Sequence, residues 1–204
     1  RISDTKKDSS YKTRYKDVEF NICSCVKKIN YLINVPVLKG HCQTKMTCAL
    51  KNMKGLIPDT EKRRFHSMGL HKPIAYLNKC IRQDFIVTDG ICGDPYFEEG
   101  GNPSDRNCIM VSKDPVLTDA YGCSLLGLSP EDVAYITLAA LEKAGSCSLK
   151  DLVLTDITDG AGNNISLSDK GIRSPQISNE YLPLELNYAT TEIESDRKST
   201  RLNS

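Results

Sequence analysis

The residues best suited to chemistry gather around His41. Lys39-Gly-His41 follows a β-branched run and precedes a candidate helix over 44–54. An imidazole titrates near neutral pH and can move a proton, and the Lys39 ammonium two residues away can hold an anion. With Thr44 as the helix N-cap, free N–H groups and the positive end of the dipole favour an anion there. Lys45, Lys51 and Asn52 lie further along the same helix. Asp89 and Asp94 follow the next candidate strand, where carboxylates serve as a base or hold a divalent cation. On this reading His41, Lys39 and Asp89 are catalytic, and Thr44, Lys45, Lys51 and Asn52 bind the anion.

The charge distribution supports the same location. Residues 39–72 carry eight Lys or Arg against Asp59 and Glu61, a local charge of +6. Residues 84–119 carry eight Asp or Glu against Arg106 and Lys113, a local charge of −6. Either the two halves meet at a site beside the strand ends, or they pair across a surface and contribute little. His66 and His71 lack the helical spacing of a metal pair. Cys42 adjoins His41 in sequence, which does not by itself make a Cys–His pair. Gly100-Gly101-Asn102-Pro103 lacks the Lys-Ser/Thr of a phosphate loop and reads as a turn.

The elements that must position these residues alternate. Val18–Val26 is a loose strand candidate, and the apolar run Ile29–Leu38 predicts a buried strand. Residues 56–70 read as irregular, Lys72–Cys80 as a short helix, Asp84–Asp89 as a strand ended by Gly90, and Ile91–Asn107 as loop. Asp114-Pro115 opens a helix closed by Gly127. Ser129-Pro-Glu-Asp132 opens another, ending near Lys143 and Gly145. Asp151–Asp156 repeats the D-x-x-x-T-D pattern of the second strand. Strands alternating with helices predict an α/β fold: a mixed or mostly parallel sheet with flanking helices in a single domain. The expected organisation is a polar lead-in over 1–17, the α/β domain over 18–160 and a polar tail over 161–196.

The 204 residues suffice for one sizeable core. Hydrophobic residues at 39% and charged residues at 26% indicate a globular chain, with no run long enough to span a bilayer. A net charge of +1, no Trp and 6% aromatics give no argument for nucleic acid. Nine scattered cysteines, none in a C-x-x-C motif, fit reduced thiols in a cytoplasmic protein. The chain begins at Arg1, and residues 197–204 resemble adapter read-through at the end of a metagenomic reading frame. The expectation is a domain truncated at one or both ends.

Three blocks carry a family resemblance. Val35-Pro-Val-Leu-Lys39-x-His41 with Thr44-x-x-Thr47-x-x-Leu50-Lys51-Asn52-x-x-Gly55 resembles the signature of the domain of unknown function 362 family. Asp89-Gly90 through Glu99-Gly-Gly-Asn-Pro103, and Lys113-Asp114-Pro115-Val116 with Asp119-Ala120, resemble its second and third blocks. The resemblance runs from about Ile29 to Gly145 and marks Asp94, Gly101, Asn102, Asp114 and Asp119 as further motif positions without assigned roles. It also implies an association with iron–sulfur clusters. This chain departs from that pattern, since it contains no ferredoxin-type cysteine run: either this member lacks the cluster, or the cluster belongs to a ferredoxin-type domain lost with the missing ends. The leading expectation is an enzyme acting on a small anionic molecule. The alternatives are a redox module and a noncatalytic binding domain.

Overall fold

In a computed structural model, residues 4–151 and a short pairing of 157–158 with 164–165 are described. The chain starts with a hairpin, β1 (Ser10–Tyr15) and β2 (Val18–Cys23), turned at Lys16 with φ 51°. The expected lead-in thus contains a strand. Its polar composition fits the outer layer of a hairpin in which only β2 buries side chains, Phe20 and Ile22 among them.

The chain then runs through β3 (Ile33–Asn34), parallel to β6 (Phe85–Gly93), and a single bridge from Val37 to Asp89 prolongs the pairing. β6 turns back antiparallel into β7 (Ser104–Ser112), giving a mixed sheet in the order β3-β6-β7. The two ends of 91–107, expected as loop throughout, are therefore strand, and 94–103 is the loop between them. In β7 Asp105, Asn107, Ile109 and Val111 are exposed while Arg106 donates to the Leu125 carbonyl, so neither face is uniformly polar and the sequence hides the strand. Residues 31–38 are not buried on both faces. They alternate exposed and buried, with Ile33, Val35 and Val37 at 57%, 64% and 41% exposure. Ile109 and Val111 lie across the same outer face.

The expected helix from Thr44 is instead the second arm of a hairpin. β4 (Lys39–His41) pairs with β5 (Lys45–Thr47), and only then does the one-turn α1 (Ala49–Asn52) begin, followed by a 3-10 turn to Leu56. Helices α2 (Asp59–Ser67) and α3 (His71–Cys80) follow. The expected irregular segment 56–70 is mostly α2, with Asp59 and Glu61 in its first turn and Arg64 in its last, each favourable to the helix dipole.

Helix α4 (Pro115–Leu125) starts as the sequence predicts: Asp114 accepts hydrogen bonds from the Val116 and Leu117 amides, and Gly127 leaves the helix at φ 71°. A capping box joins Ser129 and Asp132 ahead of α5 (Ala134–Leu141). The pairing β8 (Ile157–Thr158) with β9 (Asn164–Ile165) completes the described elements. The third strand candidate over 151–156 lies almost entirely outside them.

The inner face of the sheet, the hairpins and α1–α5 enclose one apolar core containing Leu38, Met46, Leu50, Ile74, Ile86, Val116 and Ile136. Phe20 and Phe65 cross edge-on at 5.8 Å within it. Each fully buried side chain of this size contributes roughly 1.5–3 kcal/mol. The result is a single α/β domain with mixed sheets and flanking helices.

Candidate anion site

Strand alternation puts Lys39 and His41 on one side of β4, with Gly40 on the other. Gly40 is where a neighbouring segment lies closest. A Cβ there would stand 2.3 Å from the Pro95 carbonyl oxygen, and the Gly40 amide donates to the Asp94 carbonyl at 2.8 Å. The loop at the tip of the β6–β7 hairpin therefore lies directly against β4. Asp94 shapes that loop: its carboxylate accepts from the amides of Tyr96, Phe97 and Asn102 at 2.8, 3.0 and 2.8 Å. Burial would raise the Asp94 carboxyl, but these bonds outweigh it and hold the group below its ordinary value.

The loop delivers Glu98. Its carboxylate Oε2 lies 2.9 Å from His41 Nε2 and 3.5 Å from Lys51 Nζ. Lys39 Nζ donates to the Glu98 carbonyl oxygen at 2.8 Å. Lys51 also donates to Thr47 Oγ1, at the end of β5, at 2.9 Å.

The opposite ring nitrogen fixes the tautomer of His41. Nδ1 accepts from the Gln43 and Thr44 amides at 3.1 and 3.2 Å, so the ring proton sits on Nε2 and points at Glu98. Burial, with Lys51 adding to it against the pull of Glu98, lowers the His41 imidazolium to about 4. The direction follows from the geometry as well, since protonating Nδ1 would set an N–H against two others. His41 is thus a neutral donor at neutral pH. Burial also lowers Lys51 to about 8 and pushes Lys54 and His66 down, and both of these feel the Glu98 charge. Burial works to raise the Glu98 carboxyl, but His41, Lys51 and Lys39 together hold it low.

The geometry brings together only part of the expected set. Lys39, His41 and Lys51 converge. Thr44 orients His41 through its amide and donates its hydroxyl to the Met46 carbonyl. Lys45, at φ 64°, reaches Asp132 at 3.3 Å, and Asn52 donates to Asn34 Oδ1 at 2.6 Å. Asp89 lies within β6 and accepts from the Ile91 amide. Gly101, at φ 135°, and Asn102 belong to the loop bearing Glu98. Asp114 caps α4. Asp119 is fully buried and accepts from the Ala49 amide at 2.7 Å, tying α4 to the start of α1. The carboxylate that meets His41 is Glu98. Its only sequence signal is its place in the second signature block, where it carries no spacing that marks a partner.

The nine cysteines form no disulfide. Among the described residues no group of three or more His, Cys, Asp or Glu could hold a metal ion. These residues therefore do not fit the ligand set of an iron–sulfur cluster. No helix among them is long and apolar enough to cross a membrane.

The family model described as "Domain of unknown function (DUF362)" matches residues 1–124, more than half of the chain. The chain belongs to that family. As a member of the DUF362 family, it is 29% identical over 125 residues to a thylakoid-associated protein of Synechocystis sp.. The match takes in 56% of this chain and 37% of that protein, so the chain spans little more than a third of this relative. No solved structure matches.

Proposed function

We propose that this domain binds a small anionic molecule at the surface formed by His41, Lys51 and Lys39, with Lys54 beside them. The observation that carries this reading is the convergence of a buried neutral N–H and a buried ammonium on one carboxylate oxygen. Burying a lysine is costly without an anion to compensate it, and here the compensating anion comes from a half-exposed loop residue. The donor set suits an oxyanion. A neutral imidazole donor polarises a substrate oxygen without giving up its proton, and an ammonium held near 8 can exchange one close to neutral pH. An enzyme using these groups would act on the bond next to the bound anion.

The test is thermal denaturation against rising acetate or phosphate, with chloride at matched ionic strength as the control. Ligand that binds only the folded state raises the midpoint as its concentration rises. The reading expects a rise for the wild type and none for Lys51→Met. A wild-type midpoint indifferent to both anions would remove it.

A further inference from the structure

Glu98 differs from its partners in one respect. The side chains of His41 and Lys51 are 3% and 5% exposed, whereas that of Glu98 is 44% exposed. Glu98 can return to water at little cost, while the two donors cannot. The loop is built for that difference. Asp94 pins Tyr96, Phe97 and Asn102, leaving Glu98 to Gly101 as the short span between the anchors. That span contains two glycines in the left-handed region, Gly100 at φ 81° and Gly101 at φ 135°. Apart from its carboxylate, Glu98 is held by the Lys39 ammonium on its carbonyl oxygen, a contact on the solvent side.

We propose that Glu98 is a resident competitor for this site and that the ligand is a carboxylate that takes its place. The inference rests on the anion-binding reading above and adds the ligand class and the means of control. When Glu98 leaves, His41 Nε2–H and Lys51 Nζ lose their shared acceptor, and the incoming group must supply an oxygen of the same charge and reach. A carboxylate does so with the geometry already present. In the closed state the loop keeps two buried donors satisfied, so the empty site is stable. The released Glu98 then sits at the rim, where a carboxylate disfavours ligands carrying further negative charge on that side.

A tethered competitor lowers apparent affinity by the fraction of molecules in which it is displaced. With the loop closed about ten times in eleven, removing the Glu98 carboxylate strengthens ligand binding about tenfold. The experiment follows the ring nitrogens of His41 by NMR in the full chain, titrating acetate into the wild type, Glu98→Ala and Glu98→Gln. The expected result is a dissociation constant at least several-fold lower in Glu98→Ala, with Glu98→Gln between it and the wild type. A constant that is unchanged or higher in both variants overturns the competitor while leaving the anion site in place. Absence of any His41 response in all three proteins overturns the anion site and the competitor together.

Discussion

His41 and Glu98 meet at 2.9 Å through the only ring nitrogen that His41 has to offer. The other nitrogen is engaged by two backbone amides of the β4–β5 turn. The turn therefore sets the chemistry of the ring before any ligand arrives. The imidazole is a donor of fixed direction, and its basic nitrogen is occupied.

Lys51 should show the mark of a residue kept at the expense of stability. It is 5% exposed and lowered to about 8 by burial. Relative to an ordinary lysine this corresponds to about 3 kcal/mol of unfavourable charge burial at neutral pH. Lys51→Met removes that cost and frees Glu98, which is exposed enough to hydrate. The expected outcome in urea denaturation at pH 7 is a gain of about 1–2 kcal/mol, accompanied by loss of the anion-dependent rise in midpoint. A destabilised variant would assign Lys51 to structure.

Two buried groups push the pH dependence in opposite directions. His41 is lowered from 6.5 to about 4. It contributes stability that is complete above 6.5 and is lost as pH falls towards 4. Asp119 is raised by burial from 3.8 to about 7, against its hydrogen bonds. It contributes stability that is complete below 3.8 and is lost as pH rises through 7. Each effect amounts to about 3–4 kcal/mol at most. Between pH 4 and 6.5 they offset each other. Relative to the wild type, His41→Gln should therefore gain stability as pH falls through this window, and Asp119→Asn should gain as it rises. Urea midpoints measured from pH 4 to 8 check both slopes, and a pair of differences flat in pH would contradict the assignment.

Gly40 tests the docking of the loop. A methyl group there would meet backbone atoms of Pro95 and Tyr96 within 2.4 Å. Backbone cannot swing aside as a side chain can, so Gly40→Ala should cost about 1–3 kcal/mol. It should also move Glu98 away from His41. NMR of the His41 ring would register the lost partner, and a ring signal identical to that of the wild type would show that the loop tolerates the change.

Asp114 separates motif membership from function. Its carboxylate accepts from the amides of Val116 and Leu117 and also from Ser146 at 2.9 Å. Asp114→Ala should cost about 1–2 kcal/mol, the worth of a helix cap, and leave anion binding as in the wild type. Weakened binding in a folded Asp114→Ala protein would tie this block to the site.

The sequence makes the later half of the fold easiest to read, because α4 and the turn before α5 are announced by local chemistry: Asp114 before Pro115, and Ser129 three residues from Asp132. The first half misleads for an equally physical reason. Thr44, read as a helix cap, follows a turn whose amides are claimed by His41 Nδ1, and the chain returns as β5. Lys39, His41 and Lys51 are recognisable as a group, since strand alternation and one helical turn bring them together. Glu98 is not, because only the close approach of two backbones at Gly40 and Pro95 places it there, and no periodicity encodes such an approach. Asp89 illustrates the converse: its position after a short apolar run suggests a strand end, yet pairing with β7 carries the strand on to Gly93.

The outer face of β3-β6-β7 leaves Ile33, Val35, Ile109 and Val111 each more than half exposed. In colloidal terms the described domain is a particle with one oily wall. At a net charge of +1 long-range repulsion between copies is weak, so contact between these walls dominates, and the second virial coefficient of the purified chain should fall as sulfate strengthens apolar burial.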